Sequence, residues 1–329
     1  MLTSCGSENN APNVSDVQIT LVTQRFDRDI AALDTNAPAA SLQRLQPKYP
    51  EFLDFWLDEL MQFGIKGNYS DTAIGVREYL RVFLTHKDFR GLFDTVAKHY
   101  PDTKLVDEQL TKGFKYYKHY FPQRSVPEVI YFISGLNSWS AVTVDTSILG
   151  IGLDMYLGAD YPFYESVGVP KYMAAQLSPD YIPVNAFRAI YQNDHPFAPE
   201  GKNLLDLMIQ RGKEQYFLSQ VLPFVSEATR LGITESEWKW SKENEGLAYN
   251  YLLRQNFLYE TNLPKIMRYV IDGPQATGMP EGSPGNIGTF LGMRIVNDYM
   301  EKHPKTNMQE LFALQDAQKL LQEANYKPR

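Results

Sequence analysis

Val129-Ile130-Tyr131-Phe132-Ile133, entered through Pro127 and closed by Ser134-Gly135, is a short unbroken apolar run. A run of that length between turn residues reads as a strand. A second β-rich run, Ala141 to Ile148, follows at once, so two neighbouring strands are expected. The next stretch is Gly150-Ile151-Gly152-Leu153-Asp154-Met155-Tyr156-Leu157-Gly158-Ala159-Asp160-Tyr161. Its glycines and aspartates predict a tight loop or an edge strand lining a cleft. It is not a nucleotide loop, because the glycines lack GxGxxG spacing and no Walker lysine follows.

Outward from this small sheet the apolar spacing becomes helical. On the N-terminal side, Phe52, Phe55, Trp56, Leu60 and Phe63 follow Pro50 at helical spacing, and the pattern recurs over 71–85, 88–100 and 104–119. On the C-terminal side it returns from about 179 and runs through 203–220, 234–256, 286–302 and 307–323. Pro196, Pro199, Gly232, Gly273-Pro274 and His303-Pro304 mark the breaks. Val17, Ile19 and Leu21 alternate with polar neighbours and predict a half-buried strand running toward Arg25-Phe26-Asp27. The fold class expected is α+β and predominantly helical, with a small sheet. Residues 1–16 read as a lipobox remnant and flexible tether and 17–329 as the folded domain, with possible lobes at 17–195 and 196–329.

The chain of 329 residues is 43% hydrophobic and 22% charged, ample for a buried core. Its net charge of −7, with no block of Lys and Arg, argues against a nucleic-acid partner. No stretch approaches the roughly 20 apolar residues of a membrane span. One cysteine excludes an intramolecular disulfide. That cysteine, Cys5, closes Leu2-Thr3-Ser4-Cys5 and is followed by Gly6-Ser7 and a polar stretch to residue 15, the pattern cut by a lipoprotein peptidase before diacylation. Only Met1 to Ser4 precede it, where a signal peptide has a basic and an apolar region, so the start is expected to be misassigned or trimmed. Cys5 is therefore the lipidation site, and the membrane is a partner through that lipid.

The chemistry is mostly a set of exclusions. The five histidines, His86, His99, His119, His195 and His303, include no pair at i, i+4 spacing, and no Gly-x-Ser-x-Gly elbow is present. No cofactor is implied. Asp154 and Asp160 are the least arbitrary carboxylates, either as turn formers or as the pair of an envelope hydrolase acting on peptidoglycan or peptide. The 21 Tyr, 18 Phe and 4 Trp leave open a third class, a glycan-binding surface lipoprotein.

Three segments carry a resemblance: Gly152-Leu153-Asp154-Met155-Tyr156-Leu157-Gly158, Leu205-Asp206-Leu207-Met208-Ile209-Gln210-Arg211-Gly212-Lys213, and Pro284-Gly285-Asn286-Ile287-Gly288-Thr289-Phe290-Leu291-Gly292 continuing to Tyr299. With Arg25-Phe26-Asp27, Leu231-Gly232-Ile233-Thr234 before Trp238, and Tyr326-Lys327-Pro328, they resemble the gliding-motility lipoprotein GldB family of the Bacteroidota, over about residues 19–328. That family in turn resembles gluzincin peptidases, which carry His-Glu-x-x-His on one helix and a zinc-binding Glu on a second. Here Arg211 stands where the glutamate would be, and the preceding segment Val184-Asn185-Ala186-Phe187-Arg188-Ala189 has neither histidine nor glutamate. The resemblance implies a zincin-like fold without its metal site, acting as a binding component of gliding or associated secretion machinery. The expected setting is the periplasmic face of the outer membrane, with other envelope proteins or a peptide segment as partners. The cleft residues it points to are Asp154, Tyr156, Asp160, Tyr161, Asn185, Arg188 and Arg211. The late Gly288-x-x-x-Gly292 speaks to close helix packing.

Overall fold

The computed structural model describes residues 11–137 and 140–329. Cys5 lies outside the described residues. The described chain divides into two compact units: a sheet unit of residues 18–114 and 123–193, and a helical unit of residues 11–17, 115–122 and 194–329. The fold is α+β and predominantly helical, with one four-stranded mixed sheet.

In the sheet unit β1 (Thr23–Arg25), β2 (Glu128–Phe132), β3 (Ala141–Val144) and β4 (Ile148–Gly152) lie in the order β1-β2-β4-β3. β1, β2 and β4 are mutually parallel, and β3 pairs antiparallel with β4. Parallel strands covered on both faces need continuous apolar side chains, which is what the 129–133 run supplies. One face holds a cluster of rings. Phe26 sits 4.9 Å from Tyr49, 5.2 Å from Phe52 and 5.2 Å from Trp56, all four wholly buried. The indole N–H of Trp56 donates to the Ile133 carbonyl at 2.9 Å, satisfying the one polar atom that ring carries. On either side of Phe26, Arg25 and Asp27 form a bidentate pair at 2.8 and 2.7 Å.

Three expectations change here. The glycine-rich stretch is loop only from residue 153 onward: its first three residues belong to Ile148–Gly152, an interior strand fully buried between β2 and β3, and not to an edge strand or loop. The reason is Gly150, where a Cβ would come within 3.0 Å of Val142, 3.1 Å of Phe132 and 3.1 Å of Phe52. Glycine is there to let large rings lie on the sheet. The second β-rich run is a hairpin that turns at Asp145, whose φ is +50°. Residues 17–22 form no strand; β1 is three residues long and pairs only with β2.

In the helical unit the Leu204–Val221 helix crosses the Ile287–Lys302 helix, and both are buried along most of their length. The crossing is set by glycine. A Cβ on Gly292 would stand 1.8 Å from the Met208 carbonyl oxygen, and one on Gly212 2.3 Å from the Gly292 oxygen. The backbones touch at Gly212 and Gly292; Gly288, the other glycine of the Gly288-x-x-x-Gly292 spacing, instead packs against the Tyr269 carbonyl. The expected 234–256 helix is two, Glu235–Glu243 and Glu245–Arg254, broken at Asn244. The expected 307–323 helix likewise divides into Met308–Ala313 and Ala317–Ala324 around the extended Leu314. Val14 is buried, so the polar stretch before Val17 does contribute a core residue.

Candidate functional site

Because β1, β2 and β4 run the same way, their carboxyl ends open on one edge of the sheet, where open α/β sheets place ligands. The segments after β2 and β4 meet there. Gly135 (φ +70°) and Leu136 (φ +63°) are consecutive left-handed residues, and they bring the N–H groups of Ser134 and Leu136 to bear on one point. Such a concavity of backbone donors attracts an anion. In this protein the anion is Asp154. Its carboxylate accepts from Ser134 N at 3.0 Å to each oxygen, from Leu136 N at 2.8 Å and from the Ser134 hydroxyl at 3.1 Å. Burial pushes the Asp154 carboxyl above its ordinary range, against the opposing pull of those hydrogen bonds. The Tyr164 hydroxyl donates to the Asp154 carbonyl and accepts from Leu157 N, both at 2.9 Å, locking the following turn.

Three other predicted residues come together beside it. Asn185 donates to the Tyr156 hydroxyl at 3.0 Å, and Arg188 donates to the Asn185 side-chain oxygen at 2.9 Å. Asn185 and Arg188 share one face of the Ile182–Asp194 helix, three residues apart. Tyr156 is wholly buried; burial pushes its hydroxyl up to about 12, opposed by Asn185, Ser140 and Arg188. Tyr161 is half-buried against Tyr164, with ring centroids 5.1 Å apart, and burial also raises its hydroxyl. Asp160 is exposed in a turn. Asp154 and Asp160 thus differ in kind, one a buried internal anchor and the other on the surface.

Arg211 belongs to the helical unit, on the Leu204–Val221 helix. It pairs with Glu214 at 3.1 Å and stacks 4.0 Å over the Phe197 ring, and its Nε, buried, meets no hydrogen-bond partner among the described residues. Four residues of this unit escaped the sequence reading. Lys213 is buried and donates to the Leu314 carbonyl, and its ammonium is lowered to about 8 by desolvation. Arg230 is buried and donates to the carbonyls of Leu222 and Val225. Tyr120 and Tyr216 line a pocket with it. The only available signal was compositional, the tyrosine-rich run ending at Tyr120. Among the described residues no group of three His, Cys, Asp or Glu side chains could hold a metal, and no helix is long and apolar enough to cross a membrane.

Compared with known proteins, the chain matches the family model described as gliding motility protein GldB over residues 7–328. No curated protein and no solved structure matches it.

Proposed function

Because the chain belongs to the GldB family of gliding motility proteins, we propose that it is a lipid-anchored, periplasm-facing outer-membrane component of the gliding or associated secretion machinery, working by binding and not by catalysis. Cys5 carries the lipid in this reading, and the folded domain is a zincin-like scaffold without a metal. Support comes from how the polar candidates are used. Asp154 is consumed by its own loop and Tyr156 by Asn185, while Arg211 is held by Glu214 and Phe197 with its Nε left unbonded among the described residues. The two helices that would correspond to the metal-binding pair of gluzincins, Ile182–Asp194 and Leu204–Val221, offer no histidine between them. A catalytic zinc needs about three protein ligands. Arg211 is the group we assign to partner recognition, since its buried Nε would gain a bond from a partner's carboxylate.

The hydrolase alternative loses force because Asp154 is buried and hydrogen-bonded to backbone, while a glycosidase acid or nucleophile must reach substrate. The test is elemental analysis of protein purified without chelators, together with incubation against casein. The reading expects far less than one zinc per chain and intact casein. Stoichiometric zinc with EDTA-sensitive cleavage would overturn it.

A further inference from the structure

A pocket of about 390 Å³ lies within the helical unit, among Tyr120, Tyr216, Gln220, Glu227, Arg230 and Glu301. Ala11 and Pro12 form part of its wall, and Val14 just beyond them is buried. The chain leading away from Cys5 therefore joins the folded body at this pocket. Between Cys5 and Ala11 lie only residues 6–10, and six residue steps of extended chain reach at most about 20 Å. If Cys5 is acylated, the pocket is held within that distance of the bilayer that receives the acyl chains.

The lining has the chemistry of a zwitterion site. Glu227 and Glu301 supply two carboxylates, and the guanidinium of Arg230 supplies one positive charge from a fully built position, donating to Leu222 at 3.1 Å and to Val225. Tyr120 donates to the Gln220 side-chain oxygen at 2.9 Å, which fixes the ring, and the Gln220 amide N–H₂ donates to the Ser219 hydroxyl at 3.2 Å, so amide and hydroxyl groups line this side of the pocket. Tyrosine rings beside carboxylates attract an organic ammonium, and amide and hydroxyl donors suit a phosphate oxygen.

We propose that this pocket takes the headgroup of a zwitterionic phospholipid carrying a primary ammonium, in the membrane to which the chain is anchored. The proposal rests on the lipoprotein reading for its geometry. Its test is arranged to be independent of cellular acylation, because Cys5 is the single cysteine and can be coupled chemically. The full chain is joined through Cys5 to a maleimide phospholipid in vesicles of phosphatidylethanolamine or of phosphatidylglycerol, and amide hydrogen exchange is followed over 216–230 and 297–301. Slowing of about tenfold on phosphatidylethanolamine, absent on phosphatidylglycerol and lost in tethered Glu301→Gln, is the expected result. Equal slowing on both lipids, or none on either, overturns the proposal. Failure of native acylation would show instead in cells, as a wild-type chain that incorporates no fatty acid.

Discussion

The carboxylate of Asp154 is the acceptor for the backbone donors of Ser134 and Leu136, and its removal would leave them buried and unbonded. Each such orphaned group costs on the order of 1–3 kcal/mol. Asp154→Ala is accordingly expected to lower unfolding free energy by roughly 3 kcal/mol in urea titration, whereas Asp160→Asn, on the exposed turn, should stay within about 0.5 kcal/mol. Equal effects at the two positions would contradict the assignment of Asp154 to structure. Lys213 gives a pH signature. Its folded-state ammonium is lowered to about 8 from an ordinary 10.5, so between those values the unfolded chain binds the extra proton. Stability should therefore rise with pH across that window, and Lys213→Met should flatten the rise relative to wild type. Above pH 10 the buried tyrosines act in the opposite sense, since their raised hydroxyls stay protonated in the folded state while the unfolded chain ionises. A Lys213→Met profile parallel to wild type between pH 8 and 10 would refute the buried-ammonium account. Sequence showed Asp154 as conspicuous but not why. The two left-handed residues that aim the loop at it include Leu136, a residue type with no preference for that conformation.

Among the elements, those legible in sequence were the ones whose burial matches their composition. The 129–133 run lies, but for its last residue, in a strand sealed on both faces, and the 203–220 and 286–302 patterns fall within a residue or two of their helices. Those misread were governed by packing that composition does not encode. Gly150 looks like a loop residue until Phe52 and Phe132 are seen to fill the place its side chain would take. Polar residues 11–16 look like free tether until Val14 is found in the core. The same contrast separates two helical glycines. Gly292→Ala would put a methyl 1.8 Å from the Met208 carbonyl and force the two helices apart, with an expected loss of about 3 kcal/mol. Gly246→Ala, in the Glu245–Arg254 helix, meets nothing closer than the Arg329 oxygen at 3.7 Å and should be neutral or stabilising by about 0.5–1 kcal/mol. Thermal melts of the two variants check this directly, and a tolerated Gly292→Ala would mean that the helices do not cross in backbone contact.

For the whole molecule, the family match and the engaged polar residues point the same way: a domain whose buried charges hold structure, belonging to a motility family and carrying a lipobox-like Cys5. What the sequence could convey at this scale was the family, through short motifs such as Arg25-Phe26-Asp27, now seen as a bidentate ion pair flanking the ring at the centre of the sheet unit's core. What it could not convey was the use of each charge, because pairing partners such as Glu245 and Arg294 are 49 positions apart. If Cys5 is diacylated as proposed, the protein must partition with membranes, since one acyl chain alone anchors only marginally. The decisive measurement is incorporation of a labelled fatty acid into the chain expressed with an export signal ahead of Leu2, comparing wild type with Cys5→Ser. The account predicts a labelled, membrane-bound wild type and an unlabelled, unanchored serine variant; a Cys5→Ser chain that still takes up label and sediments with membranes would contradict it.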